Sequence, residues 1–252
     1  MRINLIDQLA AKGKIFTFKE AQKVLGSDYS KTKIILSRLE RNGWIERIEK
    51  GKYMIVPLGA EKGKYTLNEF IIGAMLISPY AIAYWSALNF YNFTEQIPNT
   101  VFIQTTARKK NQSATIFGVN YKFVRVKESK FFGICREWIE ETQINITDKE
   151  KTIVDCLDKP QYSGGIIEVA KALKNGKFDM GKLTIYANKI GNSGVIRRMG
   201  FLCDFFGIEI RLPQIKTKNY LYLDPTMPKN GQKNAKWRLI VNLDEKILGD
   251  IE

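Results

Sequence analysis

The stretch Thr17–Pro57, "TFKEAQKVLGSDYSKTKIILSRLERNGWIERIEKGKYMIVP", places two helical patterns, a tight turn and a charged hairpin in succession. Thr17 and Glu20 form the T-x-x-E spacing of a capping box, which opens a helix over "FKEAQKVLG". Ala21, Val24 and Leu25 form its inner face, and Gly26 closes it. "SDY" turns the chain, and Ser30 is the expected N-cap of the next helix, "KTKIILSRLERNG", closed by Gly43. Ile35, Leu36 and Leu39 share one face of that helix. Lys31, Thr32, Lys33, Ser37, Arg38 and Arg41 lie mainly on the other. "WIERI" and "KYMIV" then alternate apolar and polar residues around "EKG", the pattern of a β-hairpin with Gly51 near its tip.

Upstream, "INLIDQLAA" sets Ile3, Ile6, Leu9 and Ala10 on one helical stripe that Gly13 ends, and "KIFTF" is a short extended link. Helix, helix, turn, helix and two-stranded wing are the order of a winged helix-turn-helix. The capping box, the Gly-bounded turn, the basic helix face and the following hairpin each point there separately. Such a module inserts its last helix into the major groove with the N-terminal residues toward base edges. Those residues are Ser30, Lys31, Thr32, Lys33 and Ser37. Arg38, Arg41, Arg47, Lys50, Lys52 and Tyr53 are placed for phosphates, contacts that position the protein and make binding salt-sensitive. The competing reading is a protein-interaction module whose Lys and Arg only solvate its surface. Glu40, Glu46 and Glu49 lie near the basic residues and lean that way.

The whole composition agrees with a polyanionic partner. The chain of 252 residues carries a formal charge of +14. The excess is +6 over residues 1–62, +2 over 63–150 and +6 over 151–252. There is no histidine, which removes the commonest general base and metal ligand. Cys135, Cys156 and Cys203 are far apart, as expected of reduced, buried thiols in a cytoplasmic protein, with no zinc site or disulfide framework. The N-terminus lacks the apolar core of a signal peptide. Phe70–Thr94 contains no charge and is long enough to cross a bilayer. Ser78-Pro79 in its middle reads as an N-cap and first helical residue, giving two short buried helices, 66–77 and 79–91, and no membrane span.

"LGAEKGK" after Pro57 is a polar linker, so the domains expected are a winged helix-turn-helix over 1–60 and a larger mixed α/β domain over 61–252, an α+β chain overall. Strand-like runs fall at 99–106, 114–127 and 144–147, with the basic loop "RKKNQS" between the first two. Four helices follow from Asp148, with Thr147 as cap and Pro160 as stop of the first and Gly closing the others. Two strand-like runs, "NYLYLDP" and "KWRLIVNL", end the chain. Asp148, Glu150, Asp155 and Asp158 invite a metal-dependent reading, an enzyme acting on nucleic acid. A capped structural helix neutralised by Lys149, Lys151 and Lys159 explains them better. Gly164-Gly165 precedes a helix but fits no nucleotide-binding loop, so no cofactor is implied. Tyr84, Trp85 and Tyr91 read as core. Arg197 and Arg198, with Lys182, Lys189, Lys216, Lys218, Lys229, Lys233 and Lys236, form a possible second basic surface for DNA, RNA or a partner, or an ordinary solvated face.

"SPYAIAYWSALNFYNFTEQIP" (78–98), then "VFIQTT", "KFFG" and "EKTIVDCLDKPQYSGGIIEVAKAL" (150–173) resemble the AbiEi family of antitoxin-like transcriptional regulators, over roughly residues 1–210. The resemblance implies an N-terminal winged helix joined to a larger α/β domain and binding to the promoter of its own operon. It also implies the antitoxin role of a type IV toxin–antitoxin pair, whose toxin is nucleotidyltransferase-like and is countered without a stable complex. Relatives also occur without a toxin gene, so a stand-alone regulator and a direct toxin-binding protein remain open. Residues beyond 210 match less clearly. Two-fold half-sites on double-stranded DNA are the expected target, since small modules gain specificity by pairing.

Overall fold

The computed structural model describes residues 2–11, 13–56 and 67–249. They group into two compact units, Met1–Met75 with Ile116–Gly118, and Leu76–Thr115 with Val119–Glu252. The linker expected at 57–65 lies outside the described residues.

The first unit runs α1 (Arg2–Ala10), β1 (Ile15–Thr17), α2 (Phe18–Leu25), α3 (Tyr29–Arg41), β2 (Ile45–Glu49) and β3 (Lys52–Ile55). The link "KIFTF" supplies a strand: β1 pairs antiparallel with β3, giving the order β1-β3-β2. Leu9, Phe16, Ala21, Leu36, Leu39, Ile45 and Tyr53 form one core, with Leu5, Ile6, Val24 and Ile35 packed on it. Ala10, expected on the inner stripe, is exposed. The capping box is complete. The Glu20 N–H donates to Thr17 Oγ1 at 3.2 Å, and the Glu20 carboxylate accepts the Thr17 N–H at 2.6 Å. Gly26 closes α2 at φ 57°, a conformation that favours glycine. This is the winged helix-turn-helix expected from the sequence.

α4 (Glu69–Leu76) follows, and then β4 (Ala81–Ile82) and α5 (Trp85–Phe90). The helix expected from Pro79 is therefore corrected. Ser78–Pro79 is a cis peptide, and Ala81-Ile82 form a central strand. Ala81, Ile82 and Ala83 are fully buried, as a two-sided central strand requires. No helix among the described residues is long and apolar enough to cross a membrane.

Six strands share one sheet: β5 (Thr100–Thr105), β6 (Ser113–Ile116), β7 (Val119–Arg125), β8 (Ile134–Ile139), β9 (Thr142–Thr147) and β4. Their order is β6-β7-β5-β4-β9-β8. The run 114–127 is two strands, because Phe117 and Gly118 turn the chain with φ of 49° and 79°. β8 was absent from the sequence reading.

Helices α6 (Lys149–Asp158), α7 (Ile166–Asn175), α8 (Met180–Lys189) and α9 (Ser193–Phe206) follow as expected. Asp148 caps α6, accepting the Lys151 N–H at 2.8 Å; Thr147 is a buried strand residue. A carboxylate at the positive end of a helix is favoured by the dipole as well as by the bond. The tail folds into a small sheet of β10 (Leu221–Tyr222), β11 (Gln232–Asn234) and β12 (Leu239–Val241), ordered β10-β12-β11, and then α10 (Glu245–Gly249). Ile153, Leu157, Val169, Leu173, Leu202, Leu223 and Leu239 belong to the main core of this unit. Tyr84 is buried in it and Trp85 packs against it, while Tyr91 donates to Thr147 O at 3.0 Å. Cys156 and Cys203 are buried and Cys135 half-buried, and all three are free thiols.

Candidate nucleic-acid interface

α3 begins earlier than expected. Asp28, and not Ser30, is its N-cap, accepting the Lys31 N–H at 2.8 Å. This brings Tyr29 into the helix and leaves Ser30 on its first turn. Ser30, Lys33, Ile34, Ser37, Arg38 and Arg41 then recur at helical spacing along one stripe. With Tyr29 they line one shallow surface depression. All of these are exposed, Tyr29 at 63% and Ile34 at 52%. Lys33, Arg38 and Arg41 have no carboxylate within ion-pair distance among the described residues. Lys31 is exposed beside Asp28, at 3.7 Å.

Two expected DNA contacts turn inward. Thr32 is fully buried, and its hydroxyl donates to Asp28 O at 2.8 Å and lies 2.8 Å from Ser27 Oγ. It locks the turn before α3. Tyr53 stacks on Phe16, with ring centroids 5.7 Å apart, and burial pushes its phenol pKa up. Its ring is core. In the wing, Arg47 and Lys50 are exposed, whereas Lys52 is half-buried in a 2.8 Å ion pair with Glu49.

Tyr29 and Ile34 were missed by the sequence reading. Ile34 was legible, since consecutive isoleucines at 34 and 35 sit about 100° apart on a helix and only one can face the core. On a helix that enters the major groove, an apolar side chain suits the thymine methyl.

The second basic region divides. Arg197 and Arg198, expected on a surface, are buried. Arg197 Nη1 donates to Asn219 O at 3.0 Å. Arg198 donates to Leu223 O at 2.8 Å, Leu157 O at 2.9 Å and Tyr222 O at 3.3 Å. They fasten the tail to α9. Lys182 pairs with Glu150 at 2.8 Å and Asp148 at 3.2 Å, and Lys236 with Asp204 at 2.5 Å. Lys189 stands 4.2 Å from the Phe132 ring centroid. Lys216, Lys218, Lys229 and Lys233 are exposed.

The carboxylates considered for a metal are engaged by protein groups, Asp148 and Glu150 by the shared Lys182. Asp155 is buried against Lys151 and accepts from Gln104 Nε2 at 3.0 Å. Asp158 accepts from Lys130 at 2.8 Å and Asn192 at 2.6 Å. Among the described residues, no group of three or more carboxylates and thiols could hold a metal ion. At Gly165 an added Cβ would lie 2.7 Å from Asp224 Oδ2, which accepts the Ile166 N–H at 2.7 Å. The N-terminus of α7 is thus occupied by a side chain of the same protein.

Residues 4–56 match the family model described as transcriptional regulator, AbiEi antitoxin. The matched residues are those of the winged helix, and the motifs from Ser78 onward lie outside them. No curated protein sequence matches the chain. The crystal structure of the RV2827C protein from Mycobacterium tuberculosis superposes with a TM-score of 0.67 at 12% identity, over 98% of this chain and 93% of that one. At that identity the likeness is one of fold.

Proposed function

With an AbiEi-type regulator domain at its N-terminus, the chain is, we propose, a sequence-specific DNA-binding repressor that acts in the cytoplasm on its own promoter. It is further proposed to be the antitoxin of a type IV pair, set against a nucleotidyltransferase-like toxin. The observation that carries the reading is the exposed stripe Ser30, Lys33, Ile34, Ser37, Arg38 and Arg41, followed directly by a wing with exposed Arg47 and Lys50. Lys33 and the hydroxyls of Ser30 and Ser37 are the base-reading groups, and Lys31 stands beside them. Arg38, Arg41, Arg47 and Lys50 take phosphates, with Lys52 beside the wing's tip. Two copies of the module on paired half-sites supply the discrimination that one short helix lacks. No catalytic role is assigned to the α6 carboxylates.

The test is binding of the full chain to its own upstream DNA against unrelated DNA of equal length, over a range of salt. Tight binding to the upstream fragment that survives competition is the expected result. Equal, salt-sensitive binding to both fragments would overturn the repressor reading.

A further inference from the structure

The small tail sheet has two unlike faces. Leu239 of β12, fully buried, pairs with Leu221 of β10 and Asn234 of β11, and this row faces the core. The next row is Tyr222, Ile240 and Lys233, which pairing and alternation place on the opposite face. Tyr220 and Arg238, which precede β10 and β12, are joined to that row by the contacts of Tyr220 with Lys233 and Arg238. Arg238 Nη1 donates to Tyr220 Oη at 3.1 Å, and its guanidinium lies 5.6 Å from the ring centroid. Lys233 Nζ lies 5.4 Å from the same ring. Two tyrosines, an isoleucine and two cations therefore share one pleated surface, with exposed Lys216, Lys218 and Lys229 in the segments that flank it.

The charge of this segment is one-sided. Residues 211–238 hold seven basic side chains and one acidic one, Asp224. Asp224 is buried and turned inward, accepting from Ile166 and Thr226. The segment thus offers its outer face no carboxylate. Arg197 and Arg198 hold its backbone from beneath, through the carbonyls of Asn219, Tyr222 and Leu223. The surface is set in place before any ligand arrives.

We propose that this face binds single-stranded RNA, with bases stacked on Tyr220 and Tyr222 and phosphates on Lys233, Arg238 and the flanking lysines. Aromatic rings on a sheet take bases that are free of a duplex, and the cations track the backbone. Unpaired bases are the normal display of RNA loops, whereas cellular DNA hides them in the duplex. The site belongs to the second unit and α3 to the first, so this inference stands apart from the repressor reading.

The experiment measures anisotropy of the full chain with a labelled RNA of about 15 nucleotides, the same sequence as single-stranded DNA, and the upstream DNA duplex. Tyr222→Leu is expected to weaken RNA binding about tenfold, the scale of losing one stacked base. Lys233→Glu, at an exposed side chain that leaves folding intact, is expected to weaken it by at least as much. Both variants should hold the duplex as wild type does, within about twofold. RNA binding untouched by both substitutions would overturn the proposal. So would equal affinity for the two single strands, or loss of RNA binding in Lys33→Ala, which would place the RNA on the winged helix.

Discussion

Lys33 and Lys50 carry the same charge and separate by position. Lys33 stands on the exposed stripe of α3 that is proposed to face the groove, and Lys50 at the tip of the wing. Lys33→Ala should therefore weaken operator binding more than binding to unrelated DNA, by about 1–3 kcal/mol of discrimination. Lys50→Ala should weaken both alike, as loss of a phosphate contact does. Competition titrations distinguish the two, and equal losses in both variants would refute the assignment. Tyr53→Phe should leave operator affinity within about twofold, because the ring serves the core beside Phe16. Glu150 gives a pH signature. Burial pushes its carboxyl up, but the Lys182 ammonium and the Asp179 N–H outweigh burial and hold it below the ordinary range. A depressed carboxyl stabilises fully above its unfolded value, near pH 4.3, and the gain is lost as pH falls through the folded value. The difference in Tm between wild type and Glu150→Gln should be largest above about pH 5 and should shrink below about pH 4.

Elements were readable wherever a local rule had one outcome. The Thr17–Glu20 box, the Gly26 stop and the Gly51 hairpin depend on neighbours in sequence, and each formed as read. β4 was not readable, because Ala81-Ile82 take strand geometry from β5 and β9, which lie far along the chain. The cap of α3 was ambiguous, since Asp28 and Ser30 are both good N-caps. Asp28 won because a carboxylate adds charge to the bond. Asp28→Ala should cost about 1 kcal/mol of stability, read as a lowered Tm, while Ser30→Ala should leave Tm nearly unchanged. Among the candidate site residues the exposed α3 stripe was legible from periodicity. The fates of Thr32, Tyr53, Arg197 and Arg198 were not. Long or amphipathic side chains bury when a partner carbonyl or ring is supplied from elsewhere in the fold.

At the level of the whole molecule, charge makes the proposed DNA binding a function of salt. If paired half-sites together engage about six to ten phosphates, affinity should fall about 10³- to 10⁵-fold between roughly 50 and 200 mM salt. The slope of log affinity against log salt measures that number directly, and a slope near zero would exclude phosphate contact as the main source of affinity. The arginines of α9 carry a consequence of a different kind. A chain cut before Asn219 would strip Arg197 and Arg198 of the carbonyls of Asn219, Tyr222, Leu223 and Arg238. The same cut would take Leu223, Leu239, Val241, Leu243 and Leu248 out of the core, and the loss of their burial is comparable to the whole stability of a domain. A late stop codon in this gene should therefore behave genetically as a null allele cleared by proteases, and not as a shortened protein that still occupies the operator.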